Sequence, residues 1–242
     1  MRSLSGVLMA ARGRQLLSQN GWQVEADSAK DGFGMAEYRL QPGALQRRID
    51  GLEPDSAAKP HCLAQCAEGA VSAVLSPGYD GITLCLQHAT QPVPACWDIV
   101  RASLQAQLAT LDAEWLADLD TLALHSGGRY EGAVVFGRQT ANLTVTALPD
   151  DALPAGYRFT DTDVAQWLEA ILNHGADVLS LRLMAELNTY SLQLAACDVE
   201  SVCIVPAGAP VRRWFPRQAL ATLTLQVRHV VDVLTSSLGS FR

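Results

Sequence analysis

The chain has 242 residues, 49% hydrophobic and 18% charged, and a chain of this length buries roughly 70–75% of its unfolded surface, so it needs no disulfide or metal to fold. Its net charge of −7 argues against a general affinity for nucleic acid or anionic membranes, which call for surplus Lys and Arg. No apolar run approaches the ~18 residues of a membrane span, so a soluble protein is expected, with a protein partner or a homo-oligomer where it assembles.

Residues 1–24 hold Arg2, Arg12 and Arg14 and no acid, residues 201–242 hold five Arg against Asp232, and residues 25–200 carry ten basic and 24 acidic side chains, a net −14. The two ends are electropositive and the middle is not. Residues 4–19 read as a helix with Leu4, Val7, Leu8, Leu16 and Leu17 on its apolar side. The cytoplasm is the expected compartment, and the transit-peptide-like composition of the same stretch makes an organelle the alternative.

Residues 22–40 read as short strands around DGFG, which has two glycines where a dinucleotide loop needs three and is therefore a turn. A brief helix over 43–52 follows, and EPDSAAKP reads as a linker. The expected organisation is an N-terminal segment, residues 1–60, packed on or flanking a main domain of residues 61–242.

Four cysteines and two histidines crowd between His61 and Cys96 in HCLAQC, LCLQH and PACW. At about 100° per residue, a helix over 61–75 puts Cys62, Cys66, Ala70, Ala73 and Val74 on one arc and His61, Gln65, Glu68 and Ser72 on the other. In the strand GITLCLQH, alternation points Cys85 and His88 to opposite faces. A structural zinc site takes two close pairs of ligands aimed at one point, and of these residues Cys62 and Cys66 alone can converge. No metal and no cofactor is expected. The six cysteines read as core thiols in a reducing compartment.

Pro94 pre-sets the first turn of a helix to about Leu111, with Trp97, Val100, Leu104, Leu108 and Leu111 as its buried stripe and DAEWLADLD as an acidic continuation. Three strands are expected from Leu122 to about Leu148. Thr160 with Asp161 and Asp163 suits a helix start, and His174 with Gly175 its end. The DxD pair could also bind a divalent cation with a phosphate. Strands follow at 179–183, 190–194 and 201–206, and the closing stretch, where Leu220, Leu223, Val227, Val230 and Leu234 recur at three and four, reads as a helix. From Pro94 on, a helix followed by three strands would then occur twice. The predicted fold class is α+β: an antiparallel sheet of about six strands in two meander-like units, with helices packed on it.

The motifs of mononucleotide binding, zinc proteolysis and the serine hydrolase elbow are absent from the sequence. His125 ends a predicted strand beside Ser126 and a glycine pair, with Arg129 following, a pattern that fits a reactive group at the mouth of a sheet and equally a polar hairpin. Asp112, Glu114, Asp118 and Asp120 could supply paired carboxylates or form a solvated helix face. VRRWFPR places Arg212, Arg213 and Arg217 around Trp214 and Phe215, residue types enriched at protein interfaces, although aromatics before a helix also staple it to a core. The leading expectation is a non-catalytic protein-binding subunit, an adaptor or assembly factor, acting through this basic-aromatic surface. The alternative is an enzyme on a small metabolite with a site near His125, Arg129 and nearby acids.

Overall fold

The computed structural model describes residues 3–25, 36–53, 56–78, 81–130, 133–154 and 156–239. DGFG and the Pro54–Asp55 part of the linker lie outside the described residues. The fold is α+β, with two antiparallel sheets of four and five strands and helices packed on them. The chain divides into two compact units, residues 13–116 and residues 1–12 with 117–242. No helix among the described residues is long and apolar enough to cross a membrane.

Helix α1 spans Leu4–Gln19, as its periodicity predicts. Within the unit of residues 13–116, β1 (Trp22–Val24), β2 (Tyr38–Leu40), β3 (Val71–Gly78) and β4 (Gly81–His88) form the first sheet in that order. Helix α2 (Pro42–Asp50) starts on a proline, whose missing N–H costs nothing in a first turn. Helix α3 (Lys59–Ala67) is shorter than its sequence pattern implies, because Gly69 takes φ +67° and turns the chain into β3. Residues 71–75 therefore belong to strand rather than helix. Val71, Ala73 and Leu75 alternate inward and share a core with Trp22, Leu45, Ile49, Cys62 and Trp97.

Helix α4 runs from Asp98 to His125 after a 3-10 turn at Ala95–Trp97, so residues 122–125 are helix and not the first of three strands. Two strands follow, β5 (Phe136–Gln139) and β6 (Leu143–Asp150), so among the described residues the repeat of a helix with three strands is not present. Helix α5 (Asp161–Leu172) opens on a capping box: the Asp163 N–H donates to Thr160 Oγ1 at 3.2 Å, and the Thr160 N–H donates to Asp163 Oδ2 at 2.7 Å. Then come β7 (Asp177–Leu187), β8 (Leu192–Asp198), β9 (Cys203–Val205), the short α6 (Val211–Trp214) and α7 (Arg217–Gly239).

The second sheet has the order β5-β6-β7-β8, with β9 also paired to β7. Leu179, Leu181, Leu183 and Ala185 of β7 pack with Leu223 and Val227 of α7. Val178, on the other face, joins a core with Val164, Trp167 and Ile171 of α5 and with Leu4 and Leu8 of α1. Leu8 is fully buried. Leu8→Ala is expected to cost about 2–5 kcal/mol, measured as a lower denaturation midpoint. The Thr160 hydrogen bonds hold the Asp163 carboxyl below its ordinary value of 3.8. Its contribution is present above that value and lost as pH falls through the lower folded-state value. Asp163→Asn is therefore expected to lower Tm at neutral pH, with the gap to the wild type closing below about pH 4.

Candidate functional site

Pro216 disfavours the helical conformation for the residue before it, and Phe215 lies at φ −68° and ψ 130°. The turn between α6 and α7 points Phe215 into the core, 4.5 Å from the ring of Phe136. Trp214 packs beside it at 5.8 Å, with a buried Nε1–H that finds no acceptor among the described residues. Arg212, Arg213 and Arg217 are exposed. The five residues are thus split, rings inward and guanidiniums outward, as in the staple arrangement.

The seam of α7 changes environment along its length. Leu223 and Val227 are buried, while Val231, Val233 and Leu234 are 44%, 50% and 47% exposed. At about 100° per residue, Val230, Val231, Val233 and Leu234 occupy a single arc of about 160° that continues the buried stripe. Arg228, His229 and Asp232 lie on the opposite side.

His125 sits in the last turn of α4. Gly127 takes φ +120°, and a Cβ on Gly128 would come within 2.7 Å of the Ala123 carbonyl, so the glycine pair is what lets the chain leave the helix here. His125 Nδ1 lies 2.8 Å from Asp177 Oδ1, and Arg129 Nη2 lies 3.2 Å from His125 Nε2. A guanidinium only donates, so Nε2 is the acceptor and Nδ1 carries the proton given to Asp177. The Tyr130 hydroxyl donates to Asp177 Oδ2 at 2.8 Å, and Arg129 Nη1 stands 3.5 Å from Oδ1. Burial first, and the Asp177 carboxylate second, push the Tyr130 hydroxyl above its ordinary value.

The structure therefore brings His125 and Arg129 together and adds Asp177 and Tyr130, which sequence reading missed. A general base needs a free lone pair facing substrate. Here Nε2 is engaged by Arg129, and His125 does not line the neighbouring cleft of about 370 Å³ bordered by Ser5, Met9, Ser126, Tyr130 and Asp151. Tyr130 is shared between the cleft and the cluster. The cluster ties the end of α4 to the start of β7.

The remaining candidates stand apart. Asp118 Oδ2 accepts from Arg12 Nε at 2.7 Å, and Asp112, Glu114 and Asp120 are exposed on α4. Asp163 is occupied by the capping box and Asp161 is exposed. Cys62 and Cys66 face the core while His61 is exposed. Cys85 pairs with Val74 and His88 with Val71, which puts them on opposite faces of β4. Cys203 pairs with Leu179 and Cys197 with Leu183, four residues apart along β7. Among the described residues no group of three or more His, Cys, Asp or Glu is arranged to hold a metal.

Asp177 is 4% exposed and accepts from two or more donors. Asp177→Ala strands the His125 N–H and the Tyr130 hydroxyl, and is expected to cost about 3 kcal/mol, against about 1 kcal/mol for Tyr130→Phe. Urea denaturation of the two variants checks both values.

No protein-family model matches the chain, and comparisons with curated proteins and with solved structures find no significant match.

Proposed function

We propose that the chain is a non-catalytic protein-binding subunit, an adaptor or assembly factor, that docks through its C-terminal arginines and the distal half of α7. The observation that carries this reading is the passage of one apolar seam from buried at Leu223 and Val227 to exposed at Val231, Val233 and Leu234. Such a stripe gains roughly 25 cal/mol for each Å² of apolar surface removed from water by a partner.

Charge specifies the partner. Exposed Arg212, Arg213, Arg217 and Arg228 belong to a segment that holds a single acid, Asp232. The complementary surface is an acidic face on another protein that carries its own apolar stripe. Trp214 and Phe215 act beneath this surface, fixing the turn that displays the arginines. They are supports rather than contacts.

The experiment compares the full-length chain with Arg212→Glu/Arg213→Glu, Val231→Ser/Leu234→Ser and Trp214→Ala. Affinity purification with cross-linking identifies the stoichiometric partner, light scattering measures self-association, and calorimetry measures affinity. Val231→Ser/Leu234→Ser is expected to weaken binding by about 2 kcal/mol or more with Tm retained. Arg212→Glu/Arg213→Glu is expected to slow association and reduce its salt dependence. Trp214→Ala is expected to lower folding stability by about 3 kcal/mol and leave assembly of the folded fraction unchanged. The same assembly in the arginine and valine/leucine variants as in the wild type rejects the proposal, and loss of self-association alone reassigns the surface to a second copy of this chain.

A further inference from the structure

A pair of thiols in the unit of residues 13–116 has no part in that reading. Cys62 lies in the first turns of α3 and is fully buried, while Cys96 lies in the 3-10 turn before α4 and is half-buried. The Cys62 thiol donates to the Cys96 carbonyl at 3.6 Å, which brings the two cysteines side by side. The residue after Cys96 holds this arrangement. Trp97 is fully buried, and its Nε1–H donates to Gln65 Oε1 at 2.6 Å, one helical turn along α3 from Cys62. The same helix therefore grips the turn at two neighbouring points. Cys66, by contrast, faces the Pro42 carbonyl at 3.9 Å.

We propose that Cys62 and Cys96 form a reversible disulfide on exposure to hydrogen peroxide, with Cys96 as the thiol that peroxide oxidises and Cys62 as the thiol that resolves it. In the first step the Cys96 thiolate takes one peroxide oxygen, the O–O bond breaks, and hydroxide leaves to be protonated to water. In the second the Cys62 sulfur attacks the sulfenic sulfur, its proton goes to the departing hydroxide, and a second water is released. Two thiols and one peroxide give one disulfide and two waters.

The environments assign the roles. Peroxide needs a reachable thiolate, and Cys96 is the half-buried member of the pair. Burial, and next to it the neighbouring Cys96, push the Cys62 thiol up to about 12. The bond closes a loop that contains β3 and β4 and ties α3 to the turn before α4, restricting the unfolded chain more than the folded one.

The test treats the full chain with hydrogen peroxide, blocks remaining thiols, and maps cysteines by mass spectrometry. The expected result is a loss of about 2 Da, a peptide pair joining Cys62 to Cys96, a higher Tm, and reversal by dithiothreitol. Cys96→Ser is expected to abolish the cross-link and the Tm rise together. Cys62→Ala, checked for folding by circular dichroism, is expected to leave Cys96 as a sulfenic acid that dimedone captures. The wild-type chain decides the matter without either variant. Cys96 still open to alkylation after peroxide, oxidised onward with a gain of about 32 Da, or bridged to a different cysteine overturns the proposal.

Discussion

A strand with hydrogen-bonded neighbours on both edges and packed side chains on both faces leaves its surroundings little freedom, and β7 is such a strand. One edge pairs with β6 along residues 180–187, and the other pairs with β9 at 177–179 and with β8 at 182–187. Its Leu179, Leu181, Leu183 and Ala185 are fully buried under α7, and Val178 is fully buried against the α5 side. Asp177 at its start receives the end of α4 through His125 and Tyr130. The positions of α5, α7 and the last turn of α4 are all referred to this one strand. Its alternating leucines were also among the plainest signals in the sequence, because period-two alternation over this length has no helical reading.

Where the sequence misled, two elements shared one local pattern. TLALH alternates as a strand does, yet Leu122 also continues the seam of Leu104, Leu108, Leu111 and Trp115 at helical steps, and α4 absorbs it. Near Ala70 the opposite happened: small apolar residues fit a helical arc, but Gly69 had already left the right-handed region. The start of α5 was legible because Thr160, Asp161 and Asp163 act locally at its first turn. Asp177 was not, since its partners His125 and Tyr130 lie 52 and 47 residues away and nothing in HGAD marks an acid destined for burial. The two-unit division was equally hidden, because both boundaries fall inside helices: Gly13 lies within α1 without ending it, and Leu116 lies within α4.

The C-terminal motif shows how composition and placement separate. Arg, Trp and Phe in succession have the make-up of an interface, but a proline after Phe215 and the ring of Phe136 below draw the aromatics inward. Large rings gain most from full desolvation, and a core offers more of it than a surface does. The arginines are left at the surface by the same rotation. Apolar area for contact then comes from α7 itself, where the sheet stops and the heptad-spaced seam does not.

One of the compact units is built from two stretches far apart in sequence, residues 1–12 and 117–242. Leu4 donates its N–H to the Asp151 carbonyl, and Leu4 and Leu8 are fully buried in a core completed by Val164, Trp167 and Val178. On a ribosome adding about 5–20 residues per second, those leucines wait roughly 10 to 35 seconds for their partners. The unit of residues 13–116 is continuous and can close in the meantime. The order of synthesis is thus reversed in the order of folding for the first turns of α1, whose apolar side faces water, or a chaperone, until the C-terminal half emerges.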